Sequence, residues 1–181
     1  MPEFRTLLAG YHRFREEQYD LQRRRWEGLA SGQEPPVMVI GCCDSRVDPA
    51  MIFDTEPGQV FTLRNVANLV PPYEVGGGLH GASAAIEFAV VNLAVRHVVV
   101  LGHGACGGVR ASLEGSKLGA SGESFINGWI SILSEARDRV LERNEPDPQH
   151  ALELEGVRIS LANLRTFPWV REREADGRLK L

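Results

Sequence analysis

The chain has 181 residues, a formal net charge of −4 and 24% charged residues, values of one ordinary globular domain with room for a sizeable core. That balance speaks against a nucleic-acid binder, which would carry a basic patch; the one basic cluster, Arg23-Arg24-Arg25, sits among Glu16, Glu17 and Glu27 as a solvated helix face. No segment approaches the roughly eighteen apolar residues of a membrane span, the Met1-Pro2-Glu3-Phe4-Arg5 start lacks a leader pattern, and three cysteines are too few for a disulfide framework, so a cytoplasmic, reducing location is expected.

In chain order, residues 3–30 read as a helical arm, with Phe4, Leu7, Leu8, Tyr11, Phe14 and Leu21 at helical spacing. The linker Ser31-Gly32-Gln33-Glu34-Pro35-Pro36 stops it. A buried strand is predicted over 37–41 and a second over 59–64, after the turn Glu56-Pro57-Gly58. Beyond Gly76-Gly77-Gly78 an apolar helix runs through about 79–95 and feeds a strand at 97–102. Helices follow at about 123–144 and 149–166, and the last residues form a turn and the start of a strand. The alternation predicts an α/β fold: a mostly parallel central β-sheet flanked by helices, with an N-terminal helical arm. The expected organisation is an arm and linker over 1–36 and an α/β domain over 37–181, one domain overall.

Ligands of open α/β sheets bind at the carboxyl ends of the strands. Cys42 ends one strand, and His103 and Cys106 follow another. Two thiolates and an imidazole are zinc ligands, and three of them leave a fourth position free, as in a catalytic centre. Gly102, Gly104, Gly107 and Gly108 let the backbone wrap closely around an ion. Two thiolates neutralise Zn²⁺, so a bound water is less acidified than beside three imidazoles. A neighbouring acceptor would help, and Asp44 is the candidate. Arg46 can pair with it bidentately and keep it anionic. If that pair broke, Asp44 could close the fourth position. Adjacent strand residues point to opposite faces, so Cys43 is expected to pack away from the site as a small hydrophobe.

Cys42-x-Asp44-Ser45-Arg46 and Gly102-His103-x-x-Cys106-Gly107-Gly108 resemble the two signatures of the β-class carbonic anhydrases. Arg64-Asn65-Val66-Ala67-Asn68, Ile86-Glu87-Phe88 and Asn163-Leu164-Arg165-Thr166-Phe167-Pro168-Trp169-Val170 match the same family, over nearly the whole chain. The resemblance implies a zinc enzyme that hydrates CO2 to bicarbonate and a proton, with Cys42, His103 and Cys106 on the metal and hydroxide in the fourth position. It implies that Asp44 and Arg46 orient that hydroxide. By the same resemblance Gln33 contacts substrate, Phe61, Val66 and Phe88 line an apolar CO2 pocket, and Gly107 offers its backbone N–H to bicarbonate. The family builds its site at a dimer interface, so a homodimer or higher homo-oligomer is expected.

Two positions depart from relatives. Phe88 stands where plant-like members often carry Tyr, so a hydroxyl contact there is lost; Val39 stands where bicarbonate-regulated members carry a Trp that helps form an inhibitory bicarbonate pocket, and the open, plant-like arrangement is expected. The family also continues past this C-terminus with a further strand. Among the remaining residues, His80 reads as a helix start, His97 as a strand edge, and Tyr73 and Trp129 as packing. Two other functions compete: a CS2 or carbonyl sulfide hydrolase with the same ligands and dyad, and a non-catalytic zinc or redox module using Cys42, Cys43 and Cys106.

Overall fold

The computed structural model describes residues 2–76, 78–115 and 124–181. Gly77 of the triple glycine and residue 123 of the predicted late helix lie outside them. The chain divides into two units, Met1–Glu34 and Pro35–Leu181.

In the first unit, α1 (Pro2–Arg13) runs into a π-helical stretch, Phe14–Tyr19, and a turn precedes α2 (Arg23–Ala30). The expected helix over 3–30 is therefore interrupted, and its aromatic residues supply the reason. On a straight helix Phe14 would stand about 120–140° around the axis from Tyr19 and Trp26. Widening the turn brings Phe14 edge-on to Trp26 at 5.8 Å while Tyr19 stacks on the same ring at 5.8 Å. Phe4, Leu7, Leu8, Tyr11 and Leu21 remain exposed.

The second unit is built on three parallel strands, β1 (Val37–Cys42), β2 (Val60–Asn65) and β3 (His97–Leu101), in the order β2-β1-β3. The central β1 is buried on both faces from Met38 onward, which explains its uninterrupted apolar sequence. A single turn of helix, α3 (Pro49–Ile52), follows β1; Asp48 caps it by accepting the N–H groups of Ala50 and Met51. The link to β3 carries α4 (Gly81–Glu87), which widens into a π-helical stretch, Phe88–Asn92. The helix expected over 79–95 thus begins two residues later, at the His80 cap, and ends before Ala94, which is left-handed at φ 52°.

After β3 come α5 (Gly107–Leu113), α6 (Phe125–Ile130), a 3₁₀ turn at Ser131–Leu133, α7 (Ser134–Glu142), α8 (Pro148–Leu164) and α9 (Pro168–Ala175). The helix predicted over 123–144 is therefore two helices joined by the 3₁₀ turn. α5 and α9 had no counterpart in the sequence reading; each is short, and Pro168 at the first position is what starts α9. At the chain end Lys180 pairs in parallel with His97 at the outer side of β3.

Two apolar clusters flank the sheet. Met38, Ile40 and Val98 pack with Ile86, Val90, Leu164 and Phe167. Leu69, Leu133, Ala136, Val140 and Leu152 form the other, and Cys42 and Cys106 are its rim. Tyr73, Phe167 and Trp169 make an edge-to-face triad with ring centres 5.4 Å apart, so Tyr73 is a packing residue as expected.

Candidate active site

Register brings the candidate ligands together. Cys42, the last residue of β1, pairs with Asn65 at the end of β2, and Gly41 pairs with Leu101 at the end of β3. The three loops that follow leave the same edge. There the Cys42 and Cys106 sulfurs lie 4.0 Å apart, and one ligand atom from each of Cys42, His103 and Cys106 falls within 4.8 Å of the others.

The residues fit a metal ion on two observations. A tetrahedral zinc with Zn–S bonds of about 2.3 Å separates its sulfurs by about 3.8 Å, close to the spacing found. The His103 ring is also aimed for it. Its Nδ1 lies 3.0 Å from the Gly104 carbonyl, which can only accept, so Nδ1 carries the hydrogen and Nε2 presents its lone pair. That Nε2 is buried and has no hydrogen-bond partner in the protein, a costly state for a buried acceptor unless something occupies it. Hydrogen bonding between the sulfurs holds the Cys42 thiol down, to about 4, against the opposing effect of burial. The same contact, together with burial, pushes the Cys106 thiol up. Both sulfurs bind a metal as thiolates, so a cation bound there is held in competition with protons.

Asp44 and Arg46 form a forked pair beside the ligands. Oδ1 accepts from the Arg46 backbone N–H at 3.0 Å and from Nε at 2.8 Å, while Oδ2 accepts from Nη2 at 2.7 Å. These bonds hold the Asp44 carboxyl far below the usual carboxylate range. The Asp44 side chain is 19% exposed and that of Arg46 59%, so the guanidinium shields the carboxylate from the outside. Its Nη2 also donates to the Ala105 carbonyl at 3.1 Å. Arg64, read from sequence only as part of a motif, secures the same loop from beneath. Its Nε donates to the Cys42 carbonyl at 2.9 Å, Nη2 to the Asp44 carbonyl at 2.7 Å and Nη1 to Asp48 Oδ2 at 2.8 Å.

Glycine serves the loop around His103 by letting elements approach. A Cβ on Gly102 would stand 2.7 Å from Val157 Cγ2, and one on Gly108 2.7 Å from Val66 Cγ1. Gly104 and Gly107 have no such neighbour, and the left-handed residue of the loop is Ala105, at φ 54°. The wrapping expected of four glycines thus comes from two of them and a strained alanine. The segment after β2 is pinned from α8 and α6: Ser160 donates to the Asn68 carbonyl, Asn163 to the Val70 carbonyl and the Trp129 indole to the Val66 carbonyl. Trp129 is accordingly more than core packing, and its ring also helps line a cavity of about 650 Å³.

That cavity opens beside Cys43, Arg64, Asn65 and Val66, with Phe125 and Ile126 on its far wall. Cys43 is exposed, which corrects its reading as a buried hydrophobe. The predicted alternation with Cys42 holds, but the face it turns to is this cavity. Gly107, the first residue of α5, directly follows Cys106. Phe61 and Phe88 pack on each other at 5.9 Å, yet Phe61 pairs with Met38, four positions before Cys42. At about 3.3 Å per residue that is some 13 Å from the carboxyl edge. One chain therefore does not bring Phe61 to Cys42, because the register fixes it at the other end of the strands, and Phe88 packs there with it. Gln33 is an exposed residue of the first unit.

Sheet and side chains together define an α/β protein with a candidate Cys₂His metal centre at the carboxyl ends of its strands. Residues 37–181 match the sequence model of the carbonic anhydrase family. A carbonic anhydrase of Synechococcus elongatus is 35% identical across 98% of this chain, which spans 65% of the length of that relative. The solved β-carbonic anhydrase CcaA superposes with a TM-score of 0.88 at 32% identity, covering 100% of this chain and 82% of that one. A tetrameric β-carbonic anhydrase of the fungus Sordaria macrospora gives a TM-score of 0.77 at 29% identity, over 97% of this chain and 87% of its own. The chain belongs to the carbonic anhydrase family and, within it, to the β class. No helix among the described residues is long and apolar enough to cross a membrane.

Proposed function

We propose that this chain catalyses the reversible hydration of CO2 to bicarbonate and a proton, with zinc held by Cys42, His103 and Cys106. The observation that carries the reading is the buried, unpartnered His103 Nε2 beside two sulfurs 4.0 Å apart. When bound in such a site, zinc acidifies a water in its open position. The chain's own groups do the rest. Asp44, kept anionic by Arg46, is the acceptor that would take a hydrogen bond from the attacking water and orient its oxygen toward the substrate. Val66 and the apolar cavity wall receive CO2 without offering it competing hydrogen bonds. The Gly107 N–H, next in the chain after Cys106 at the start of α5, is the donor for the oxygen that gains charge.

The open, plant-like arrangement is part of this proposal. Its support is the fork between Asp44 and Arg46, which occupies the carboxylate that would otherwise close the fourth position. A crystal near neutral pH with Asp44 on the metal overturns it. We also take a homodimer as the smallest active unit, since Phe61 and the Phe88 ring packed on it lie at the far end of the strands from Cys42 and reach a site only if a second copy supplies them; the Gln33 contact with substrate is part of the same reading. A fully active monomer in light scattering contradicts that reading. The division into an arm over 1–36 and a zinc-binding domain over 37–181 belongs to the proposal, as does a cytoplasmic location, which suits two reduced thiols.

Stopped-flow CO2 hydration from about pH 6.5 to 9, with metal analysis of the same sample, tests the reading. Hydration that is lost on chelation and restored by zinc supports it. Sulfide release from CS2 or carbonyl sulfide without CO2 hydration overturns it.

A further inference from the structure

Cys106 is held from behind by a helix that carries no part of either sequence signature of the site. The preceding residue, Ala105, is left-handed at φ 54°, a conformation that alanine adopts only when its surroundings impose it. Cys106 itself is extended, at φ −66° and ψ 123°, and caps α5. Both of its peptide groups are taken by side chains one turn apart on α8. The Cys106 N–H donates to Glu153 Oε1 at 2.9 Å. Gln149 Nε2 donates to the Cys106 carbonyl at 3.1 Å and to the same Glu153 oxygen at 2.6 Å. Glu153 is a buried carboxylate, 9% exposed, and the only buried acidic side chain among the described residues. It has no guanidinium or ammonium partner there; the nearest cationic candidate is His150, with Nδ1 at 3.8 Å from Oε2.

A carboxylate is expensive to bury without a cation, and the fold places this one on the main chain of a single residue. From the opposite side Arg46 holds the Ala105 carbonyl. The two peptide groups that flank the Cys106 Cα are thus fixed at three points: Arg46 and Glu153 hold the one before it, and Gln149 the one after.

We infer that Gln149 and Glu153 are positioning residues for the metal centre: together they clasp the Cys106 peptide and so aim its sulfur at the point shared with Cys42 and His103. The inference rests on the reading of Cys106 as a metal ligand. Neither side chain touches substrate; they act through Cys106. Groups that orient a ligand in this way typically change metal affinity by about 10–100-fold when removed.

Cobalt is the probe, because its absorption reports the geometry of the thiolates directly. The parent protein, E153A, E153Q, Q149L and the control E155Q are freed of metal and titrated with Co²⁺. Glu155 lies on the same helix and pairs with Arg158, away from Cys106. E153A is expected to bind Co²⁺ about 10–100-fold more weakly, with altered sulfur-to-cobalt charge-transfer bands and faster hydrogen exchange of the Cys106 amide. E153Q keeps an acceptor for that amide and is expected to recover most of the affinity; Q149L is expected to fall between, and E155Q to match the parent. A purely structural role for Glu153 lowers the melting temperature of the metal-free form but leaves the cobalt spectrum and affinity of the folded variants unchanged. That result for both E153A and Q149L overturns the inference while the metal site stands. Failure of the parent itself to bind Co²⁺ overturns both. If E153A does not fold, Q149L, which leaves the carboxylate in place, decides by the same two readouts.

Discussion

Arg46 meets Asp44 with both arms of its guanidinium, at 2.8 and 2.7 Å, and uses the same Nη2 to hold the Ala105 carbonyl on the opposite loop. One side chain therefore ties the end of β1 to the loop after β3. Lysine can hold a charge beside Asp44 but cannot reproduce the fork. R46K is expected to lower kcat for CO2 hydration with little effect on metal content, and metal analysis beside stopped-flow kinetics checks the split. Equal activity of R46K and parent contradicts the orienting role.

Asp44 is predicted to act as an acceptor, so removing its charge while keeping its shape should be severe. D44N is expected to lose about 100-fold or more in kcat, in the range of a positioned proton-transfer group, while retaining zinc. Zinc loss in D44N, measured in the same preparation, shows that the carboxylate serves the metal and not the reaction.

Metal removal should be visible in stability as well as in turnover. A ligand that binds only the folded chain adds about 2.7 kcal/mol when its free concentration is 100 times Kd. The chelated protein is therefore expected to melt at a lower temperature and to recover when zinc is returned. Unchanged melting after verified removal contradicts a site formed by folding at Cys42, His103 and Cys106.

A pH dependence of stability follows from the pair between Arg165 and Glu174, with Nη2 to Oε1 at 2.8 Å. Arg165 lowers the Glu174 carboxyl below its ordinary value. The contribution is complete above the unfolded value of about 4.3 and fades as pH falls through the lower folded value. Both groups face solvent, so about 0.5 kcal/mol is expected. Urea unfolding should show E174Q less stable than the parent at pH 7 and equal to it once pH has fallen below both values. A gap that persists in acid rules out the ion pair as its source.

Gly102 offers a packing test. G102A places a methyl group 2.7 Å from Val157 Cγ2, and such overpacking costs about 1–3 kcal/mol. V157A beside it should recover part of that loss, a non-additivity that a double-mutant cycle measures. Additive losses show that the clash is relieved elsewhere.

Strand ends and the ligand trio were legible in the sequence because a buried parallel strand writes its length as an apolar run, and because the residues after it are the signatures themselves. β1 and β3 were placed to within a residue. What could not be read has a common cause, distance along the chain. Gln149 and Glu153 lie more than forty residues beyond Cys106, and a Gln four residues before a Glu on an otherwise ordinary helix says nothing about the peptide it will hold. The Arg64 clip spans twenty residues or more to the carbonyls of Cys42 and Asp44, which are invisible to side-chain patterns. Ala105 hid the left-handed position because glycines stood on both sides of it in the motif. Phe61 and Phe88 were assigned to the pocket through resemblance alone, and only the register of β2 against β1, with the packing of Phe88 on Phe61, shows how far they stand from Cys42.

That register has a consequence for insertions and deletions. Because β1 is apolar on both faces, a chain shortened by one residue between Val37 and Cys42 could slip along its neighbours and still fill the core. The same slip turns the terminal thiol through half a revolution, away from His103. Length, more than composition, is what this strand must conserve: a shortened β1 would yield a well-folded protein whose chemistry had been rotated out of reach.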